Sequence, residues 1–530
     1  MKSNTSNSIS RRHFLKGSGS AALLTTGSFY LAQSLRAEDS PNTSIVETSA
    51  GTLRGKVING INSFKGIPYA SPPINERRFL APQAHSGWTG VRDAFQYGHY
   101  AVQSKRQRGT KQLQFFHTLG FRSVETPGAS EDCLVLNVWS QGLNDGGKRP
   151  VMVWLHGGGY DQGTGGSVGY DGLALAKNQN VVTVTINHRL NAFGYLYLGD
   201  ILGDEYTAAA NAGQQDIVAA LQWVKQNIEQ FGGDPNRVMI FGQSGGAGKV
   251  ATLLGMPSAK GLFHAAAMQS GGGRGMPSEQ ATEISKKLLS DLGIPLARAK
   301  EILTTPAEKI IDTYGRGGPV IDGTVLPDNP IGSPLSKDVP LIIGNTRTER
   351  TVYTVDDPSY GQLSETQLLE NVTKLVGGKA KDVIAQYRDA RPKLKPFMLD
   401  YLISNDIADN RNFDVAEARN QHNAAKTYVY RWDWETPVME LLAPHCMEIP
   451  FVFQHIEDCQ SMTGPISDKM RYLQVQASTA WANLAKNGSP NHQDLPNWEA
   501  YSANKKPVML FNTPSRLEHD PGAKLRGMRA

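Results

Sequence analysis

The sequence predicts an α/β protein: a central, mostly parallel β-sheet flanked by helices, with long loop and helical insertions. Three observations predict it. Short apolar, β-branched runs recur at residues 151–155, 181–186 and 238–241. Between the last two, Ile217, Ala220, Leu221, Val224 and Ile228 repeat at helical spacing. The runs are apolar or β-branched and carry no charged residue, as expected of strands covered on both faces, and their alternation with helices implies crossover connections.

Taken in order, residues 45–57 and 61–66 have the pattern of short strands, with Asn59-Gly60 turning between them. Residues 98–130 are polar, irregular and rich in Gln and Arg, and predict a long surface loop. Another strand is expected at 134–139. The strand at 151–155 runs into His156-Gly157-Gly158-Gly159. A helix is expected at 217–230. The strand at 238–241 ends at Gly242, and residues 249–254 can form the helix that follows it. Two further strands are expected at 339–343 and 427–432. Residues 279–314, 365–388 and 411–425 predict helices that decorate the sheet, so residues 38–530 are expected to form one domain.

The first 37 residues stand apart. They hold Lys2, Arg11, Arg12, Lys16 and Arg36 and no acidic residue. Ser10-Arg11-Arg12-His13-Phe14-Leu15-Lys16 resembles a twin-arginine export motif. A weakly apolar stretch at 17–35 and a possible cleavage site after Ala37 complete the layout of a removable signal. Its Gly, Ser and Thr content makes it a poor permanent membrane anchor. The expected location is therefore the periplasm or the exterior. Of the 54 Lys and Arg residues five lie in this leader, and the other 49 match the 49 Asp and Glu. Such a balance gives no case for a nucleic-acid surface. Cys133, Cys446 and Cys459 are an odd set that leaves at least one thiol unpaired, and their spacing does not suggest a zinc site. Buried free thiols are expected, with a Cys446–Cys459 disulfide as the alternative.

Gly242-Gln243-Ser244-Gly245-Gly246 fits the G-x-S-x-G pattern of a nucleophile elbow, in which a tight strand-to-helix turn lifts a serine above the sheet edge. The preceding strand and following helix supply the required context. The Gly-rich run at 156–159 also follows a strand, and could bring backbone N–H groups close to a reacting carbonyl.

Residues 231–246, from Phe231-Gly232-Gly233-Asp234-Pro235-Asn236 to Gly242-Gln243-Ser244-Gly245-Gly246, resemble the signature of the type-B carboxylesterase/lipase family, which includes the cholinesterases. So does Glu131-Asp132-Cys133-Leu134-Val135-Leu136-Asn137-Val138-Trp139. Phe64-Lys65-Gly66-Ile67-Pro68-Tyr69-Ala70, Asn187-His188-Arg189-Leu190 and Asn211-Ala212-Gly213 extend the resemblance over nearly the whole chain from about residue 45. It implies an α/β-hydrolase fold, ester hydrolysis, and an oxyanion hole formed by the N–H groups of Gly158, Gly159 and Gly245. It also implies ion pairs of Arg78 with Glu131 and of Arg189 with Asp216, and places Ser270 near the site. The chain departs from the family at Gln243, where glutamate often precedes the serine. It departs at Val135, usually aromatic or Thr, and at Ala101, where many relatives carry the disulfide partner of Cys133.

A serine hydroxyl needs a histidine to take its proton and a carboxylate to orient that histidine. In this fold the chain order is Ser, then Asp or Glu, then His. That order leaves His264, His422, His445, His455, His492 and His519 as bases. His445 follows the strand at 427–432, and residues 443–451 resemble the family's histidine motif; His455 is its nearest rival. His264 is expected to pack in an apolar helix. For the acid, residues 344–349 resemble the family's acid motif and select Glu349, with Asp356 and Asp322 as alternatives. The catalytic set expected is Ser244, Glu349 and His445, acting on a small-molecule ester through an acyl-enzyme with no metal or cofactor. Two other readings stand beside it: a catalytically inactive esterase-like binding protein, and an amidase or carbamate hydrolase on the same residues. The sequence specifies neither the ester nor an oligomeric state.

Overall fold

In the computed structural model, which describes residues 42–104, 109–119, 126–408 and 411–528, thirteen strands form one sheet. The strands are β1 (Thr43–Thr48), β2 (Gly51–Ile58), β3 (Ile61–Pro68), β4 (Val91–Asp93), β5 (Val135–Ser140), β6 (Arg149–Leu155) and β7 (Val182–Ile186). Then come β8 (Gly233–Gln243), β9 (Ala265–Gln269), β10 (Leu341–Thr346), β11 (Thr427–Trp432), β12 (Pro507–Phe511) and β13 (Arg516–His519). Their spatial order is β1-β2-β3-β5-β7-β6-β8-β9-β10-β11-β12-β13, with β4 beside β2. From β7 through β12 every neighbouring pair is parallel. The chain therefore has the α/β-hydrolase fold, a mostly parallel sheet flanked by helices.

The apolar strands work as the pattern required. In β6, Val151, Val153 and Leu155 join one buried cluster, while Met152 and Trp154 join another on the opposite face. In β8, Val238 and Ile240 go one way and Met239 and Phe241 the other. Side chains of a strand alternate between faces, so continuous apolarity means that both faces are covered. Helices α1 (Ala212–Asn227) and α2 (Gly245–Leu254) cover the first face with Ile217, Leu221, Val224, Val250 and Leu253. Helix α3 (Asp468–Asn487) covers the second with Leu473, Trp481 and Leu484.

Several expectations change in detail. The run at 45–57 is two antiparallel strands, β1 and β2, because the chain turns at 49–50. Residues 365–388 break at Gly377-Gly378 into helices Glu365–Val376 and Ala380–Ala390, joined by a short 3-10 turn. Residues 279–314 form helices Ser278–Asp291 and Ala307–Thr313, with a 3-10 segment between them. The expected loop at 98–130 contains a helix, Thr110–Phe115, and pairs Tyr100–Ala101 with Ala129–Ser130. His264 is not in a helix: it is exposed at the start of β9, where its N–H bonds Val238 O. All three cysteines are buried free thiols, so there is no Cys446–Cys459 disulfide. No described helix is long and apolar enough to cross a membrane. The leader expected at 1–37 lies outside the described residues.

Candidate active site

Ser244 sits between the C-terminal end of β8 and the start of α2, half-buried, with φ 57° and ψ −122°. This is a strained conformation for a residue with a side chain, and such strain collects at functional turns. The turn closes only because its neighbours lack side chains. A Cβ on Gly246 would lie 2.0 Å from Leu155 O, and one on Gly245 would lie 2.2 Å from Gly159 O. The elbow is thus pressed against the end of the adjacent strand β6 and the Gly-rich loop that leaves it.

That loop has a simple logic in its carbonyls. His156 O and Gly159 O accept from Lys249 Nζ at 2.9 and 3.1 Å. Gly157 O accepts from His156 Nδ1 at 2.8 Å, and Gly158 O from Gln162 N at 3.1 Å. All four carbonyls of residues 156–159 are therefore bonded within the protein. Gly158 holds φ 93°, which permits the sharp bend that this pattern requires. A loop with every acceptor tied back can present its N–H groups as donors to a ligand. His156 itself is buried, stacked on His188 with ring centroids 5.0 Å apart. Burial, assisted by the Lys249 charge, lowers its pKa to about 3, so it is neutral and structural.

Glu349 and His445 come from the loops that follow β10 and β11, and they meet in the site. His445 Nδ1 donates to Glu349 Oε2. Two further contacts hold these loops together: Thr348 N donates to Ala443 O and Ala443 N to Thr348 Oγ1, each at 2.9 Å. Glu349 Oε1 accepts from Thr346 N at 2.8 Å. Burial favours the neutral acid, but the His445 charge and hydrogen bond, with support from Ser270 and Thr346, hold Glu349 below the usual carboxylate range. Burial also works against a charged His445. The adjoining Cys446 and the Glu349 carboxylate outweigh it, and the ring stays well above its ordinary pKa.

The residue that reaches the His445 ring from the elbow is Gln243. Its Nε2 lies 3.1 Å from His445 Nε2 and 3.3 Å from Nδ1, and its Oε1 accepts from Cys446 Sγ at 3.0 Å. Among the described residues no hydrogen bond joins Ser244 Oγ to the imidazole. The structure thus joins Glu349 to His445 directly and brings the elbow to the same ring through the neighbour of Ser244.

The rival positions are otherwise occupied. His455 is bound to Asp458 Oδ2 at 3.0 Å and Asp171 O at 2.6 Å. Asp356 accepts from the N–H groups of Lys111 and Gln112 at the start of helix Thr110–Phe115. Asp322 accepts from Thr324, Val325 and Leu326 N–H in its own turn. Arg78 makes its paired contact with Glu131 at 2.8 and 2.5 Å, and the buried Arg189 its contact with Asp216 at 2.8 and 2.6 Å.

Three neighbours of the site have no role assigned to them by the sequence. Lys249 is fully buried within α2. Tyr353 is 56% exposed, with its ring centroid 5.4 Å from that of His445. Glu448 is fully buried and accepts weakly from Ser270, Gln269 and Tyr430 at 3.3–3.4 Å. Burial, with the nearby Glu349 charge, raises its pKa to about 7. Lys249 carried the one available signal: a charged residue inside an otherwise apolar helix that must pack behind the elbow.

The site gathers at the C-terminal ends of β6, β8, β10 and β11, the rim where parallel α/β sheets place their ligands. A strained serine there, at a strand-to-helix turn, defines the α/β-hydrolase class. The carboxylesterase family model matches residues 42–525. A para-nitrobenzyl esterase of Bacillus subtilis is 33% identical over 504 residues, 91% of this chain and 97% of its own length. Phenmedipham hydrolase of Pseudarthrobacter oxydans is 33% identical over 488 residues, covering 88% and 94%. Among solved structures, a carboxylesterase of Geobacillus stearothermophilus superposes with TM-score 0.77 at 37% identity, covering 92% of this chain and all of its own. The chain belongs to the carboxylesterase family and is a carboxylic ester hydrolase.

Proposed function

We propose that the protein hydrolyses small-molecule carboxylic esters by two acyl transfers at Ser244. His445 Nε2 takes the Ser244 hydroxyl proton as Oγ bonds to the ester carbon, and the carbonyl electron pair moves onto oxygen. The N–H groups of Gly158, Gly159 and Gly245 receive that oxyanion. The intermediate collapses, the alcohol leaves with the proton from His445, and an acyl-enzyme remains. Water then repeats the sequence: it gives a proton to His445, bonds to the acyl carbon, and releases the acid and the serine. Glu349 stays ionised throughout and supports the imidazolium.

The observation that carries this reading is the Glu349–His445 pair beside an elbow serine and under a loop with all four carbonyls tied back. Before the transfer, His445 Nε2 exchanges its Gln243 contact for Ser244 Oγ. Catalytic hydrogen bonds often tighten only once substrate is bound. The test is covalent labelling with an organophosphate. The label is expected on Ser244, with Ser244→Ala unlabelled and its ester turnover reduced at least about 10³-fold. A fully active Ser244→Ala protein would refute the assignment. Export by the leader at 1–37 belongs to the same proposal, and fractionation of cells carrying Arg11→Lys, Arg12→Lys tests it: the protein should stay inside.

A further inference from the structure

Lys249 is a buried cation that the acyl-transfer scheme does not use. Its side chain is 0% exposed, and among the described residues it forms no ion pair. Its hydrogen bonds go to His156 O and Gly159 O, the first and last carbonyls of the Gly-rich loop. The Tyr160 ring lies 5.8 Å from Nζ and closes one side. Burying an ammonium costs several kcal/mol unless strong acceptors replace water. Here the acceptors are the two ends of one short loop, so one side chain spans it from behind.

We propose that Lys249 is a positioning residue for ester hydrolysis, clamping the carbonyls of His156 and Gly159 so that the Gly158 and Gly159 N–H groups stay aimed at the reacting carbonyl. The proposal rests on the reading of those groups as the oxyanion donors. The loop's other two carbonyls are held by its own His156 and Gln162. Among the described residues, the hydrogen bonds that tie these four carbonyls to α2, the helix that follows Ser244, come from Lys249. The clamp therefore fixes oxyanion donors and nucleophile to one rigid element, which is how preorganised donors avoid reorganisation during the reaction. Burial lowers the amine's pKa to about 7, against the opposing Asp161 charge. Ammonium and amine alike have N–H donors for both carbonyls, so the clamp does not depend on which form is present.

The test compares wild type with Lys249→Met, which keeps the length and apolar stem and removes the donors. Active sites are first counted with an organophosphate, so that rates refer to folded, labelled protein. Expected is a fall in kcat of about 10²-fold with KM within about threefold. A trifluoromethyl ketone, which adds to the serine and puts an oxyanion in the same place, should lose affinity by a similar factor. A lysine needed only for packing would lower the melting temperature and leave kcat per labelled site unchanged; that result overturns the proposal. If the variant does not fold, the crystal structure of the organophosphate-labelled wild type decides. Lys249 Nζ should hold both carbonyls while the phosphoryl oxygen sits on the Gly158 and Gly159 N–H groups, and a Lys249 released from them refutes the clamp. Failure of Ser244 to take the label would instead sink the serine reading itself, so the two failures are distinguishable.

Discussion

The Gln243 carboxamide is held between Cys446, whose thiol donates to its oxygen at 3.0 Å, and His445, whose Nε2 lies 3.1 Å from its nitrogen. All three residues are buried. With His445 Nδ1 donating to Glu349, the neutral ring offers Nε2 as an acceptor, and Gln243 can donate to it. The amide is neutral, so it orients the ring without adding to the negative charge of Glu349.

Replacing Gln243 by glutamate should therefore move the pH profile. A carboxylate at that distance stabilises the imidazolium, and in the proposed acyl transfer His445 must be neutral to accept the serine proton. Its pKa already lies above the ordinary value. A further rise means that activity is lost at higher pH as the solution is acidified. The acid limb of kcat/KM in Gln243→Glu should shift upward by about one pH unit. A superimposable profile would show that the Gln243 side chain has no electrostatic access to the ring.

Glu349→Gln should be folded but slow. The amide can fill the same space, yet it cannot neutralise the imidazolium or impose the right tautomer. By the behaviour of such substitutions kcat should fall about 10³- to 10⁴-fold. Asp356→Asn, by contrast, should change kcat less than about twofold, because that carboxylate only receives two N–H groups at a helix start. Parallel turnover measurements on the two variants decide between the acids.

How much of this was legible in the sequence depends on the residue. Gly242, Gly245 and Gly246 announce the elbow because they fall between an expected strand and an expected helix, where a tight turn leaves no room for side chains. The core strands β6, β7 and β8 were legible because continuous β-branched or apolar runs mean two covered faces. β9 was not: Ala265, Ala266 and Ala267 carry no strand preference, and they lie in the sheet through parallel pairing with β8 and β10. Glu349 and His445 were reachable through order and resemblance, since each is a loop residue whose partner lies 96 positions away. The Gln243–Cys446 contact was invisible, because sequence places each residue beside the site but cannot orient either side chain. Glu448 was read only as part of the histidine motif, since nothing in its neighbourhood in sequence indicates that it is buried near another carboxylate.

Gly246→Ala should unfold the elbow rather than merely slow it. The added methyl would sit 2.0 Å from Leu155 O, a backbone atom of the adjacent core strand. No rotamer relieves a Cβ contact, so α2 or β6 must move. Overpacking of this kind against main chain should cost about 3 kcal/mol. The midpoint of urea unfolding measures it; a variant with an unchanged midpoint would mean that the two elements separate at little cost.

Glu448 makes stability itself depend on pH. Its pKa rises from 4.5 to about 7 on folding because burial, and next the charge of Glu349, disfavour the carboxylate. Between those values the folded protein keeps a proton that the unfolded chain has released. This contribution is fully present below pH 4.5 and is lost as pH rises through 7. Over that window it amounts to about 3 kcal/mol. Glu448→Gln keeps a neutral side chain at every pH, and so removes this one dependence. Unfolding free energies at pH 5 and pH 8 should therefore converge in the variant, relative to wild type, by about 2–3 kcal/mol. If both proteins lose stability equally over that range, Glu448 is ionised in the folded state at neutral pH, and the buried pair of carboxylates must share its charge with groups other than His445.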